Sequence, residues 1–168
     1  MIIGIGGASR SGKSTLAHRL KKRNANLSIA IISQDDYAFP EDKIPKINNE
    51  TNWECPESIN FKKLIATLVK TNSSHDVTIV EGLLIYYNEP LSTYFDKKIF
   101  IDIEKATFLN RKATDIRWGK TENWYLEHIW ESYLQYGFIK PSKELLIVNG
   151  NSELNFKKIE EYVGFPKI

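Results

Sequence analysis

The segment Gly7-Ala8-Ser9-Arg10-Ser11-Gly12-Lys13-Ser14 is the feature that most limits what this chain can fold into. It fits the pattern G-x-x-x-x-G-K-[ST], a loop whose backbone N–H groups surround phosphate groups. The preceding run Met1–Gly6 is apolar and β-branched, which predicts a buried strand, and Leu16 and Leu20 have helical spacing. A strand, a glycine-rich loop and a helix N-terminus in this order predict an anion site.

Each residue of this loop, and the one after it, is a candidate for binding ATP. The candidates are Gly7, Ala8, Ser9, Arg10, Ser11, Gly12, Lys13, Ser14 and Thr15. Lys13 is expected to act as the catalytic cation at the β- and γ-phosphates, and the Ser14 hydroxyl to contact Mg²⁺. The alternative is a turn that binds nothing, but such a turn does not need Lys-Ser after its second glycine.

Composition limits the class of protein. The 168 residues suit one domain, residues 1–168, and the net charge of +2 gives no reason to expect nucleic acid or an anionic membrane as the partner. No apolar run approaches the roughly 18 residues of a membrane span. The one cysteine, Cys55, fits a reducing compartment, so we expect the cytoplasm.

The hydrophobic pattern alternates between strands and helices. Strands are predicted at about 1–6, 27–33, 77–80, 98–103 and 144–148. Helices are predicted at about 13–24, from Pro56-Glu57-Ser58 onward with Ile59, Leu64, Ile65 and Leu68 buried, and at about 105–114, 123–136 and 152–162. This order predicts an α/β fold, a P-loop NTPase-type three-layer sandwich with a five-stranded parallel sheet flanked by helices.

Three carboxylates follow strands of the predicted sheet, where ligands bind in such folds. Asp35 and Asp36 follow the second strand, and only one of two adjacent side chains can point inward. A carboxylate there can accept a proton from an attacking hydroxyl or help to hold Mg²⁺. Glu81 ends the third strand and is a candidate to serve the metal ion, while an exposed charge at a strand end is the alternative.

Four segments together resemble the group of uridine kinases and nicotinamide riboside kinases. They are the glycine-rich loop, Ser33-Gln34-Asp35-Asp36-Tyr37, Asn52-Trp53-Glu54-Cys55-Pro56-Glu57-Ser58 and Val80-Glu81-Gly82-Leu83-Leu84. The resemblance extends over nearly the whole chain. It implies transfer of the γ-phosphoryl group of ATP to the 5′-hydroxyl of a nucleoside, with Mg²⁺.

The resemblance also implies roles for single residues. Asp35 matches the aspartate that approaches the 5′-hydroxyl, Glu54 the acidic residue that binds the ribose hydroxyls, and Trp53 an aromatic residue beside the base. Glu81 matches a glutamate near magnesium, and Asn149 begins a turn that passes the adenine. Trp53 lies in a polar loop (about 35–56) without an apolar stripe to bury it, which favours base stacking over a surface anchor.

A lid that closes over the phosphates is expected at about 111–123. Arg111 matches its first arginine and would act in catalysis, and Arg117 is a candidate second arginine for ATP. Trp118 would either stack on a base or fill the lid hinge. Asp115 and Ile116 stand where a further arginine could be expected, so this lid has fewer cations.

The acceptor base is open between two choices. Only about twenty residues separate Pro56 from Val77, too few for the hairpin insertion of the uridine kinases, and this favours nicotinamide riboside. The motif around Trp53 points back to uridine or cytidine. A kinase for another small metabolite and a non-catalytic nucleotide-binding switch are the other readings, and the oligomeric state is open.

Overall fold

A computed structural model describes residues 1–115 and 122–166. The strands of this part are β1 Ile2–Gly7, β2 Ile29–Ser33, β3 Lys46–Ile47, β4 Glu50–Thr51, β5 Val77–Gly82, β6 Lys97–Asp102 and β7 Leu145–Asn149. Its α-helices are α1 Lys13–Arg23, α2 Phe61–Asn72, α3 Glu89–Ser92, α4 Lys105–Ala113, α5 Asn123–Ser132 and α6 Phe156–Val163. The candidates Arg117 and Trp118 lie outside the described residues.

Five parallel strands form the main sheet, in the order β2-β5-β1-β6-β7. The register pairs Glu81 with Ile5 on one side and with Ser33 on the other. The ends of β1, β2 and β5 therefore lie side by side, and the loops that follow them share one edge of the sheet. The predicted five-stranded parallel sheet is confirmed.

Helices cover both faces of the sheet because successive side chains of each strand point to opposite faces. Ile3 and Ile5 pack with Leu16 of α1 and Ile159 of α6 on one face. Residues of α2, α4 and α5 cover the other face, among them Leu64, Phe108 and Ile129. The three-layer sandwich is thus confirmed. No helix in the described ranges is long and apolar enough to cross a membrane.

The first turn of the predicted helix after Cys55 is a separate element. Pro56–Ser58 form a 3₁₀ turn, Ile59 is extended, and α2 begins only at Phe61. The reason is a side-chain cap: Asn60 Oδ1 accepts the backbone N–H of Lys63 at 3.0 Å, which fixes the helix start. Ile59 is buried as predicted, but its predicted place in the helix is wrong, and Ile65 is only half-buried.

Two further helices begin or end at residues other than those predicted. The helix predicted at 123–136 gives way to a π-helical turn at Tyr133–Gly137. The last helix begins at Phe156 rather than near 152, because the Asn155 side chain accepts the N–H of Lys158. The small hairpin β3–β4 was not predicted. Its turn residues Asn48 and Asn49 have the positive φ angles of a tight hairpin turn.

Candidate active site

An open cleft of about 430 Å³ lies at the edge of the sheet where β1, β2 and β5 end. It is lined by the glycine-rich loop, the start of α1 and three charged side chains from other elements. The lining residues are Ser9, Arg10, Gly12, Lys13, Ser14, Thr15, Asp35, Glu81 and Arg111. All nine are candidates from the sequence, so the fold brings together groups separated by up to about a hundred residues.

The loop between β1 and α1 has the backbone geometry of a phosphate cradle. Gly7, Arg10 and Gly12 have φ angles of 144°, 62° and 106°. A Cβ atom on Gly7 would lie 2.5 Å from the carbonyl oxygen of Ile101, so only glycine fits there. Ser11 Oγ is buried without a hydrogen-bond partner among the described residues. An unsatisfied buried polar atom is costly, so the loop holds this conformation at an energetic cost.

Lys13 lies at the centre of the charges in the cleft. Its ammonium group donates to the carbonyl oxygen of Ala8 at 2.9 Å. Burial lowers the pKa of Lys13, and the carboxylates of Glu81, Asp35 and Glu54 oppose this shift. Those three carboxylates therefore lie close enough to interact with the cation. A cation among three carboxylates suits a site in which a negatively charged group is transferred from one substrate to another.

Ser14 and Glu81 offer oxygen ligands for a cation. Ser14 Oγ donates to Glu81 Oε1 at 2.9 Å, and Glu81 is only 5% exposed. No group of three or more metal-ligating side chains exists in the described ranges. A hydroxyl beside one carboxylate fits Mg²⁺, which takes few protein ligands and completes its shell with phosphate oxygens and water.

The two adjacent aspartates differ in position. They belong to a 3₁₀ turn, Gln34–Tyr37, which directly follows β2. Both are exposed, but Asp35 lines the cleft, whereas Asp36 lies outside its lining. The turn is fixed by buried Gln34, whose Oε1 accepts the backbone N–H of Leu84 at 2.7 Å. Gln34 thereby ties the segment of Asp35 to the segment that follows Glu81.

The loop at Asn52–Cys55 contributes two side chains of different character. Trp53 is 45% exposed and Glu54 is half-buried. Burial raises the pKa of Glu54 to about 7, with Asp35 adding to the shift and Lys112 and Lys13 opposing it. Glu54 thus lies within electrostatic range of the cleft although it does not line it. The carboxyl group of Glu54 interacts electrostatically with Asp35, and the exposed ring of Trp53 belongs to the preceding residue.

Arg111 connects the glycine-rich loop with the turn after β7. Its Nη1 donates to the carbonyl oxygens of Arg10 at 3.1 Å and Ser11 at 3.5 Å, and its Nη2 to that of Gly150 at 2.7 Å. Asn149, at the end of β7, is exposed, and its Oδ1 accepts the N–H of Asn151 at 2.8 Å. The Arg111 side chain therefore fixes the position of two loops at one end of the cleft.

Asp115 also contacts the glycine-rich loop. Its carboxylate lies 3.7 Å from Nε of Arg10, and its side chain is only 3% exposed. The residue that stands where a further lid arginine could be expected is thus used to hold Arg10. Gln34 and Asp115 were not identified as site residues from the sequence. A polar residue directly after an apolar strand was the available signal for Gln34.

Replacement of Arg111 by lysine tests the link between the two loops. One ammonium group cannot reach the carbonyl oxygens of both loops, so we expect the KM for ATP to rise about tenfold, the effect of roughly one lost hydrogen bond to a charged group. Steady-state kinetics with varied ATP measures it. Arg19→Lys on α1 is the matched control, and an unchanged KM for ATP in Arg111→Lys would contradict the link.

The parallel sheet, the loop before α1 and the carboxylates at neighbouring strand ends define a P-loop kinase. The sequence matches no protein-family model. It is 30% identical over 152 residues to nicotinamide riboside kinase 1 of Homo sapiens, a match that covers 80% of this chain and 75% of the relative. It is also 30% identical over 174 residues to a uridine kinase of Lactococcus lactis subsp. cremoris, covering 85% of this chain and 84% of the relative.

Solved structures share the fold. One is a possible uridine kinase from Bacillus stearothermophilus, with a TM-score of 0.57 over 87% of this chain and 88% of that chain at 20% identity. The 30% identity to the two curated kinases shows that the chain belongs to the family of P-loop nucleoside kinases that contains the nicotinamide riboside kinases and the uridine kinases. The resemblance inferred from the sequence motifs is confirmed.

Proposed function

We propose that this protein transfers the γ-phosphoryl group of ATP to the 5′-hydroxyl of a nucleoside, and that the nucleoside is nicotinamide riboside. The observation that carries the proposal is the convergence of Lys13, Asp35 and Glu81 on one cleft, with Glu54 in electrostatic range. A protein that only binds nucleotide needs the cation and the loop. Carboxylates on the acceptor side are needed only if a second substrate reacts there.

On the donor side, the loop from Gly7 to Thr15 binds the triphosphate through its backbone N–H groups and Lys13. The turn that begins at Asn149 passes the adenine, and Arg111 holds this turn next to the loop. Arg111 supplies positive charge at this end of the site, and Arg117 stays a candidate second arginine for ATP. When bound, Mg²⁺ between Ser14 and Glu81 would neutralise charge on the β- and γ-phosphates.

On the acceptor side, Asp35 orients the 5′-hydroxyl and accepts its proton as the bond to phosphorus forms. The carboxylate of Glu54 accepts hydrogen bonds from the ribose hydroxyls, and the exposed face of Trp53 stacks on the base. Asp36 and Trp118 stay candidate substrate-binding residues. Phosphoryl transfer depends mainly on positioning and charge, and these residues supply both.

Two observations support nicotinamide riboside over uridine and cytidine. The segment between Pro56 and Val77 is occupied by a 3₁₀ turn and α2, which leaves no hairpin next to the base. The pyridinium ring of nicotinamide riboside carries a positive charge, whereas uracil and cytosine are neutral. The exposed Trp53 directly precedes Glu54, and Glu54 and Asp35 interact electrostatically; this set favours a cationic ring through cation–π and Coulomb attraction.

The test is ADP release with excess MgATP against nicotinamide riboside, uridine, cytidine, adenosine, pantothenate and a blank without acceptor. Turnover with nicotinamide riboside alone supports the proposal in full. Turnover confined to uridine and cytidine would overturn the choice of base. Turnover with pantothenate alone would favour a kinase for another small metabolite. ADP at the blank rate throughout, with demonstrable ATP binding, would favour a nucleotide-binding switch.

We also propose that the protein acts in the cytoplasm, without a nucleic-acid or membrane partner.

The raised pKa of Glu54 predicts a pH dependence of nucleoside use. The pKa of about 7 means that the carboxylate needed for the ribose hydroxyls forms only as the pH rises through 7. We expect kcat/KM for the nucleoside to rise with a midpoint near pH 7, since this ratio reports groups of the free enzyme. The kcat/KM of Glu54→Gln for the nucleoside should be about tenfold lower than that of wild type above pH 8, and it should lack this midpoint.

The same shift predicts a stability effect without substrate. Folding raises the pKa of Glu54 from 4.5 to about 7, so it disfavours the ionised form. The penalty is absent below pH 4.5, grows up to pH 7 and is complete above it. At pH 8, Glu54→Gln should be more stable than wild type by on the order of 2 kcal/mol, after a discount for partial exposure. Glu50→Gln is the control, and equal denaturation midpoints at pH 8 would contradict the prediction.

A further inference from the structure

Helix α5 contacts the acceptor loop through two side chains. Tyr125 Oη donates to the carbonyl oxygen of Thr51 at 3.0 Å, and Nε2 of His128 lies 2.8 Å from Oδ1 of Asn52. Both pairs join residues more than seventy positions apart. The two residues of the loop that are held in this way directly precede Trp53 and Glu54.

In the contact between His128 and Asn52, the position of the shared proton can be assigned. Asn52 Oδ1 also accepts the backbone N–H of Glu54 at 3.3 Å, so this atom acts as an acceptor. The His128 ring must therefore carry its proton on Nε2 and donate it to Asn52. Burial lowers the pKa of His128, with Glu131 opposing, which favours the neutral ring. In that form the other ring nitrogen, Nδ1, has no proton.

Asn52 is the centre of the loop conformation. Its side-chain oxygen binds the N–H of Glu54, and its carbonyl oxygen accepts Sγ–H of Cys55 at 3.2 Å. Whatever orients the Asn52 amide thus orients the backbone of Glu54 as well. In the described part of the chain, the side chain that reaches Asn52 from another element is His128.

The contact is not part of the helix packing. Ile129 and Tyr133 bury this end of α5 and its following turn in the core, with 1% and 2% exposure. His128 and Asn52 are only half-buried, and Asn52 lies in a loop. Loss of the imidazole would remove its own ring contact with Tyr125, at 5.7 Å between the centroids, and leave the buried contacts of Ile129 and Tyr133 in place.

We propose that His128 is a positioning residue that sets nucleoside affinity by holding Asn52, and through it Glu54 and Trp53, in the conformation that receives the ribose and the base. The inference rests on the proposed function. His128 does not touch the phosphates or the reacting hydroxyl. Its removal therefore weakens nucleoside binding and leaves ATP binding unchanged.

Steady-state kinetics on four variants and one control variant tests this role. His128→Ala should raise the KM for the nucleoside about tenfold, the effect of one lost hydrogen bond and a displaced carboxylate, with the KM for ATP unchanged. His128→Gln should recover most of the affinity, because its amide can donate to Asn52. Asn52→Ala should match His128→Ala, and the double variant should add little, since both remove one interaction. His18→Ala, on an exposed position of α1, is the control.

Hydrogen exchange provides a readout that does not need turnover. The amide of Glu54 should exchange faster in His128→Ala than in wild type or His18→Ala, while amides of α5 keep their protection. An unchanged nucleoside KM, or a parallel change of both KM values with loss of α5 protection, would overturn the proposal. If wild type phosphorylates no nucleoside, the proposed function fails, and exchange at Glu54 still decides whether His128 fixes the loop.

Discussion

Replacement of Lys13 by alanine is expected to lower kcat by about 10³-fold. The Lys13 ammonium group lies between the glycine-rich loop and three carboxylates, and burial keeps it poorly hydrated. A preorganised charge in such a place stabilises the charge that develops on the transferred phosphoryl group, and loss of one such donor costs about 10²–10³ in rate. Turnover at saturating ATP and nucleoside measures the effect.

The fold should survive this replacement. Lys13 makes one hydrogen bond to Ala8, and Leu16 and Leu20 provide the buried contacts of α1. Lys21→Ala is the matched control, because Lys21 is an exposed lysine on the same helix. A Lys13→Ala protein with native circular dichroism and a kcat within threefold of wild type would contradict the role of this cation.

Replacement of Asp35 by asparagine is expected to lower kcat by about 10²–10⁴-fold, the usual contribution of a positioned proton acceptor. Asparagine has nearly the same shape and can still orient a hydroxyl, but it cannot take up its proton. Since Asp35 lies on the acceptor side, the KM for ATP should stay near the wild-type value. The two parameters are separated by varying ATP at saturating nucleoside.

Asp36→Asn is the closest comparison for this variant. It removes one negative charge from the neighbouring position of the same 3₁₀ turn, but Asp36 does not line the cleft. We expect it to lower kcat far less than Asp35→Asn does. If Asp36→Asn were the more damaging change, the roles given to the two residues would have to be exchanged.

The donor side of the site could be predicted from the sequence because its determinants are local. Gly7, Gly12, Lys13 and Ser14 are close in the chain, and their spacing encodes the strand, the turn and the helix start. The placement of Asp35 and Glu81 followed from one further rule, that parallel strands end at the same edge of a sheet. Of these residues, Gly12, Lys13, Ser14, Asp35 and Glu81 line one cleft, and Gly7 shapes the loop that borders it.

The acceptor side of the site was harder to predict from the sequence because tertiary contacts determine its structure. Trp53 and Glu54 were singled out mainly through the resemblance to a family. Neither the hydrogen bond from His128 to Asn52 nor that from Leu84 to Gln34 has a local signal, since each joins residues at least fifty positions apart. The start of α2 was misplaced for a local reason, because Asn60 is a stronger cap than Pro56-Glu57-Ser58 suggested.

Phosphorus NMR of the products formed from MgATP and nicotinamide riboside tests the central claim most directly. The account predicts one new phosphomonoester at the 5′ position for each ADP, and no inorganic phosphate. A signal from inorganic phosphate alone would show that the γ-phosphoryl group goes to water, and a phosphomonoester at the 2′ or 3′ position would show that Asp35 does not direct the 5′-hydroxyl. Either result would contradict the account.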